Sequence, residues 1–188
     1  GNPDLLEKEA TTTTLGFVLA PSGLPGMTMA VDYYSIELES TIAQVDGQLL
    51  INDCFATLNF AGESCQAIVR DPNGNMLEVH ASTLNLSDRS VDGVDLSINY
   101  AFDELPTWAS GSDGDASLAL QMFSSWQFGN TTQVLPNLPA TDCAGYYSGT
   151  CSTGAIRPSA AFRSILRASY NTGPLTLSPE VNYVGALE

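Results

Sequence analysis

The chain has 188 residues, enough for one domain with a core, and its apolar share of 44% is that of an ordinary globular protein. Its charge is less ordinary, since 21 acidic residues face only six basic ones, Lys8, Arg70, Arg89, Arg157, Arg163 and Arg167, for a net charge of −15. That balance argues against nucleic acid as a partner, because phosphate neutralisation needs clustered Lys and Arg, and no run of 18 apolar residues is present to cross a membrane as a helix.

The opening residues Gly1-Asn2-Pro3-Asp4 are polar and hold no apolar segment of the signal-peptide kind, so either a mature N-terminus or a start further upstream is expected. Over 12–20, Thr13, Leu15, Phe17 and Leu19 recur at every second position, the period of a strand with one apolar face. Pro21-Ser22-Gly23-Leu24-Pro25-Gly26 reads as a turn. Over 27–39 the period returns in Met27, Met29, Val31 and Tyr33, with Thr28, Ala30 and Asp32 between them. After Tyr33 the phase changes, because Ile36 and Leu38 fall on the opposite parity. A bulge near Tyr34 is one explanation; a strand that has left its apolar surroundings is the preferred one.

The link over 40–80 is expected to hold a short helix: Thr41 and Gln44 form a capping-box pair, and Ile42, Val45 and Leu49 share a face suited to packing on neighbouring loops. It also contains Cys54 and Cys65, just as the later link over 129–159 contains Cys143 and Cys151. A zinc site would bring closer cysteine spacing or further histidines, and His80 is the only histidine. Two local disulfides in an oxidising compartment are expected instead, Cys54 with Cys65 and Cys143 with Cys151.

The clearest strand is 94–102, where Val94, Leu96, Ile98, Tyr100 and Phe102 alternate with Asp95, Ser97, Asn99 and Ala101. The link over 103–115 includes Ser110-Gly111-Ser112-Asp113-Gly114-Asp115, which lacks the ligand series and closing Glu of a calcium loop and reads as a solvated turn. Leu118, Leu120, Met122, Trp126 and Phe128 then alternate with polar or small residues, Phe123 and Ser124 being the imperfections. A thinner apolar face follows in Phe162, Leu166, Ala168 and Tyr170, opposite Arg163 and Arg167. The turn Asn171-Thr172-Gly173-Pro174 leads to Leu175, Leu177, Val181 and Tyr183, a strand that Pro179 interrupts.

These elements predict an all-β chain, an antiparallel meander of about six long strands whose long and short connections alternate. Aromatic residues fall toward strand ends on the apolar face, as in the interfacial girdles of an outer-membrane barrel. A soluble sandwich with one face in a core remains open on pattern alone. In a barrel the opposite parity would line the lumen, which assigns Asp95, Ser97, Asn99, Gln121, Gln127, Arg163, Arg167, Glu180 and Asn182 to hydrated space and a substrate path, with the two arginines pairing lumen carboxylates. Tyr146 and Tyr147, beside Cys143, are loop candidates for stacking on a substrate. No catalytic constellation stands out: His80 has no nucleophile-elbow or triad spacing around it, and Asp113/Asp115 and Glu37/Glu39 suit solvated turns and strand ends.

Several motifs occur in a telling order. They are Gly1-Asn2-Pro3-Asp4-Leu5-Leu6-Glu7-Lys8-Glu9 with Thr13 to Gly16; Leu24-Pro25-Gly26 with Val31-Asp32-Tyr33-Tyr34 and Ile36; and Arg70-Asp71-Pro72-Asn73-Gly74 before Asn85-Leu86 and Gly93-Val94-Asp95-Leu96. Asp142-Cys143-Ala144-Gly145-Tyr146-Tyr147 with Cys151, and Tyr170-Asn171-Thr172-Gly173-Pro174-Leu175-Thr176-Leu177-Ser178, complete the series. Together they resemble the late barrel strands of TonB-dependent receptors.

The resemblance implies an open arc, about the fourteenth to nineteenth strands, of a 22-stranded transmembrane β-barrel in the outer membrane of a Gram-negative bacterium, with a short helix in one extracellular loop. Residues 1–188 would then be a partial receptor barrel, without the plug, the first strands and the last three strands. The implied function is energy-coupled uptake of a scarce small-molecule nutrient such as a siderophore or oligosaccharide. The implied partners are outer-membrane lipid and, through the absent plug, TonB; no cofactor, no metal and no enzymatic activity are implied. The alternatives are a secreted all-β binding module with disulfide-pinned loops and a passive porin.

Overall fold

The computed structural model describes residues 5–81, 83–102, 105, 109, 116–135, 137–147, 149, 151 and 158–188. Among them the strands are β1 (Glu9–Leu19), β2 (Met27–Gln44), β3 (Ile68–Arg70), β4 (Met76–Val79), β5 (Thr83–Phe102), β6 (Ser117–Gln133), β7 (Thr141–Asp142), β8 (Phe162–Thr172), β9 (Leu175–Leu177) and β10 (Glu180–Val184). Two helices, α1 (Gly47–Thr57) and α2 (Glu63–Gln66), lie between β2 and β3. Six strands stand side by side in the order β1-β2-β5-β6-β8-β10, with β7 added to β6 and β9 to β8, while β3 and β4 form a separate hairpin. Every pairing in the main sheet is antiparallel, so the expected all-β meander is present. The sheet is open, with β1 at one edge and β10 at the other.

Consecutive antiparallel strands send alternate connections to opposite ends. The β1–β2, β5–β6 and β8–β9 connections therefore leave from one end of the sheet, and the β2–β5 and β6–β8 connections from the other. The strands run further than their hydrophobic alternation announced. β5 starts at Thr83, eleven positions before Val94, and β6 continues to Gln133. Residues 83–93 carry no period-two apolar pattern, so only their pairing with β2 and β6 reveals them as strand.

No bulge occurs at Tyr34, because the β2–β5 register is unbroken from Met27↔Tyr100 to Leu38↔Arg89. Tyr34 stands opposite Gly93, where an added Cβ would fall 2.5 Å from the tyrosine hydroxyl and 2.4 Å from the Trp126 carbonyl. Only glycine lets the tyrosine ring cross that strand. The irregularity lies further on, at Ser40, whose φ is 52°. Its N–H donates to Asp88 Oδ1 at 3.1 Å and its carbonyl accepts from Asn85 Nδ2 at 2.9 Å. Asn85 also clamps the Leu6 backbone, accepting from its N–H and donating to its carbonyl. A second irregularity sets Phe128 outside the β5–β6 register, between Gly93↔Gln127 and Asp92↔Gly129.

The expected helix is present but displaced. Thr41 and Gln44, read as a capping box, belong to β2 and pair with Ser87 and Thr83. Sheet pairing outweighs the local capping signal there. The actual N-cap of α1 is Asp46, whose Oδ1 accepts from Gln48 N–H at 2.9 Å. The helix ends at Leu58, which takes the left-handed conformation and donates its N–H to the Cys54 carbonyl.

Both disulfides are formed, Cys54–Cys65 and Cys143–Cys151, with Cα atoms 4.7 and 5.6 Å apart. The first joins α1 to α2. Val45, Leu50 and Leu135 make a small core with Leu49, Ala67, Val79 and Leu138 around it, so the two long links pack on one another as the apolar loop residues led one to expect. A second cluster, Cys54, Cys65 and Ile68, adjoins it. Pro179 separates β9 from β10, and its carbonyl still accepts from Ala168 N–H at 3.1 Å. An edge strand tolerates the missing donor.

Candidate functional site: a two-faced sheet and its loop end

Residues directly opposite in a sheet share a face, so the register assigns sides without ambiguity. One row runs Asp95↔Ser125↔Arg163, the next Ser97↔Phe123↔Ile165, and the next Asn99↔Gln121↔Arg167↔Glu180. Gln127 pairs with Gly93, and Asn182 with Ile165. All nine polar positions singled out in the sequence therefore stand on one face. Arg167 forms an ion pair with Glu180, donating from Nε to Oε2 at 2.9 Å, while Asn182 Nδ2 donates to the other carboxylate oxygen at 3.0 Å. Arg163 has no ion pair among the described residues.

Asp32 lies directly opposite Asp95 on this face, and Asp95 Oδ1 is enclosed without a partner among the described residues. Gly16, beside Asp32 on β1, makes room for that carboxylate: a Cβ there would meet Asp32 Oδ1 at 1.9 Å. Val18, Phe123 and Ile165, in one row with Ala30 and Ser97, are apolar exceptions among the polar rows.

The other face is apolar across all six strands. Leu15↔Tyr33↔Val94↔Trp126↔Phe162 form one continuous row, and Phe102↔Leu118↔Tyr170↔Leu177 form another near the short-connection end. The first row and its neighbour Tyr183 hold an aromatic cluster, with ring centroids 5.0 Å apart for Trp126–Phe162 and 5.8 Å for Phe162–Tyr183. Beside the second, Tyr100 and Phe102 lie with ring centroids 4.4 Å apart. Between these rows lie Met29, Val31, Leu96, Ile98, Leu120, Met122 and Leu166. Among the described residues no layer covers this face: Phe17 is 60% exposed, Leu166 47% and Val181 63%.

Ser124, an imperfection in the sequence pattern, falls on this apolar face opposite Ser164, and the two hydroxyls hydrogen-bond at 2.8 Å. Each satisfies the other, which is what a polar group away from water requires.

Past the Tyr33 row the two faces exchange character. Ser35, Glu37 and Glu39 continue the formerly apolar side, with Asp92, Ser90 and Asp88 on β5 and Glu9 on β1, whereas Ile36, Leu38 and Val91 occupy the formerly polar side. Glu37 and Glu39 thus belong to an acidic collar beyond the apolar band.

The loop candidates sit apart from the nine polar positions. Tyr146 and Tyr147 are exposed at the long-link end, where Tyr147 N–H donates to the Glu188 carbonyl and Glu188 N–H to that of Gly145. The loop is anchored through Asn130, only 2% exposed. Its backbone N–H donates to Asp142 Oδ1 at 2.9 Å, its side chain donates to Ser159 Oγ at 3.0 Å, and it accepts from Arg89 at 3.0 Å. Sequence reasoning missed Asn130, since one Asn in a polar stretch carries no periodic signal. His80 is exposed, 3.7 Å from Glu78 Oε1. Asp113 and Asp115 lie outside the described residues. No group of three or more metal-ligating side chains occurs among the described residues.

No protein-family model matches the chain, and no curated protein and no solved structure matches it.

Proposed function

We propose that the chain is an arc of a transmembrane β-barrel in the outer membrane of a Gram-negative bacterium, its apolar face against lipid and its polar face toward a hydrated lumen. The carrying observation is the uncovered apolar face, continuous over six strands and bounded by aromatic rows. On β5 that band spans Val94 to Phe102, eight steps or about 27 Å along the strand, and about 20 Å along the normal at a tilt of about 40°. These values bracket the roughly 25 Å of a barrel's lipid-facing zone. The polarity exchange beyond Tyr33 suits a strand emerging into water, and the long, disulfide-pinned links suit the extracellular side.

Within that architecture the ordered motifs favour a TonB-dependent receptor, and with it energy-coupled uptake of a scarce nutrient through contacts made by the parent's plug. That step rests on the motifs alone. The polar face, with Asp95, Asn99, Gln121, Arg163, Arg167 and Glu180, is then the wall along which plug and substrate move.

The test compares arginine at adjacent positions of β5 in the intact parent. Leu96→Arg places a charge on the lipid side near mid-band, costing about 2–4 kcal/mol, and should abolish heat-modifiable assembly in outer-membrane vesicles. Ser97→Arg points to the lumen and should assemble normally. Equal effects at both positions would sink the assignment. Soluble, monomeric behaviour of the 188-residue chain without detergent would favour a secreted binding module in its place.

A further inference from the structure

Where the two long links meet, α1, α2, the turn between them, Leu135 and Asn137 border a cleft of about 260 Å³. Its wall includes Asp53, which is only 6% exposed. Asp53 Oδ2 accepts a 2.6 Å hydrogen bond from Ser64 Oγ, which fixes the carboxylate in place. The other oxygen, Oδ1, has no protein partner among the described residues, yet it is not sealed from solvent. A carboxylate so nearly buried, with one oxygen held and the other free, is poised to accept hydrogen bonds from something entering the cleft.

The rest of the lining fits that role. The side-chain amides of Asn59 and Asn137 border the same space with no protein partner among the described residues, and each offers both a donor and an acceptor. Glu63 adds a second acceptor, while Leu135, 1% exposed, closes the floor of the space from within the loop core. Gly62 keeps the cleft open beside Asn59, since a Cβ there would lie 3.0 Å from the Asn59 amide nitrogen.

Acceptors dominate, so an anion is disfavoured. A bare divalent cation is disfavoured as well, because it needs six to eight oxygens converging at about 2.3–2.6 Å, whereas this space has room for a small molecule.

We propose that this cleft binds a neutral polyhydroxylated ligand, one sugar ring or a polyol of that size. Adjacent hydroxyls donate to Asp53 Oδ1 and Glu63, and the two amides complete their hydrogen bonding. The proposal goes beyond the membrane reading and does not depend on it, since every lining group belongs to the loop layer. Hexose binding without membrane insertion would refute the membrane reading alone, and insertion without hexose binding would refute this one alone.

The experiment titrates the oxidised full chain, in a detergent without a sugar headgroup, with glucose, galactose and mannose, followed by saturation-transfer NMR. At least one hexose should saturate with an affinity of about millimolar. Asp53→Asn, which keeps the shape of the side chain, should weaken it about tenfold or more, the loss expected when a charged acceptor is withdrawn. Asn137→Ala, on the exposed rim and away from both disulfides, should weaken it severalfold; it decides the matter if Asp53→Asn fails to fold. The proposal is overturned if none of the three hexoses saturates, if well-folded variants bind as the parent does, or if calcium chloride displaces the bound hexose competitively.

Discussion

The six-stranded sheet and the loop layer at its long-link end solve opposite problems with the same chain. Every buried large apolar side chain among the described residues, Val45, Leu50, Ile68 and Leu135, belongs to the long links, as do all four cysteines. The six main strands contribute none. Their apolar residues are arranged on one face and left uncovered. The loop layer therefore excludes water by folding on itself, with two disulfides closing loops of 11 and 8 residues, whereas the sheet leaves Leu15, Phe17, Leu166 and Val181 exposed. A small core with crosslinks is the usual remedy where apolar burial is scarce.

The contrast breaks most visibly by truncation inside each region. Leu50→Ala removes a side chain with no exposed surface from the centre of the loop core and should cost about 2–5 kcal/mol. Hydrogen exchange of the α1 amides, measured in detergent, should rise accordingly while the β5 and β6 amides keep their protection. Phe17→Ala, on the uncovered face of β1, should leave loop protection unchanged. A loss of protection at β5 as large as that at α1 after Leu50→Ala would show that the two regions are one cooperative unit.

A smaller effect sharpens the account of the apolar face. Ser124→Ala alone leaves the Ser164 hydroxyl without its partner, and should destabilise the folded sheet by about 1 kcal/mol. The double replacement Ser124→Ala/Ser164→Ala should recover most of that loss, because no polar group is then stranded. A double-mutant cycle in detergent reads the coupling. Additive single effects would mean that water satisfies these hydroxyls and that this face is wet.

The strands were legible because period two is written in the residues themselves: Val94, Leu96, Ile98, Tyr100 and Phe102 announce β5 without knowledge of any neighbour. Its first half was not legible, because pairing with β2 beyond Leu38 is a tertiary fact that Thr83 to Gly93 do not encode as alternation. The helix was expected, but Thr41 and Gln44 misplaced it, since a capping-box pattern cannot compete with eighteen residues of strand in β2. The disulfide partners followed from spacing. The polar face followed from parity, since Asp95, Gln121, Arg167 and Glu180 needed only an odd-even count and a meander. Asp53 and Asn130 were invisible for the opposite reason: burial and a chosen partner, not residue type, make them unusual.

The smallest expected effect belongs to the hairpin turn of the loop layer, where the local structure depends on a carboxylate. Asp71 Oδ1 accepts from the N–H groups of Asn73 and Asn75 at 2.9 and 2.8 Å, and Oδ2 accepts from the Asn75 side-chain amide at 2.8 Å. The Asn75 amide first, and then the backbone N–H groups, hold the Asp71 carboxyl below its ordinary value of 3.8. A lowered folded-state value means that the turn draws its full stabilisation above the ordinary value and loses it as pH falls through the folded one. The amide exchange of Gly74 and Asn75, corrected for intrinsic rate, should therefore be flat from neutrality down to about pH 4 and accelerate below it. Asp71→Asn should remove that step while leaving the α1 amides unaffected. If acceleration begins near pH 6, or spreads to α1 at the same midpoint, a group other than Asp71 governs the acid response and the hairpin is not an independent part of the loop layer.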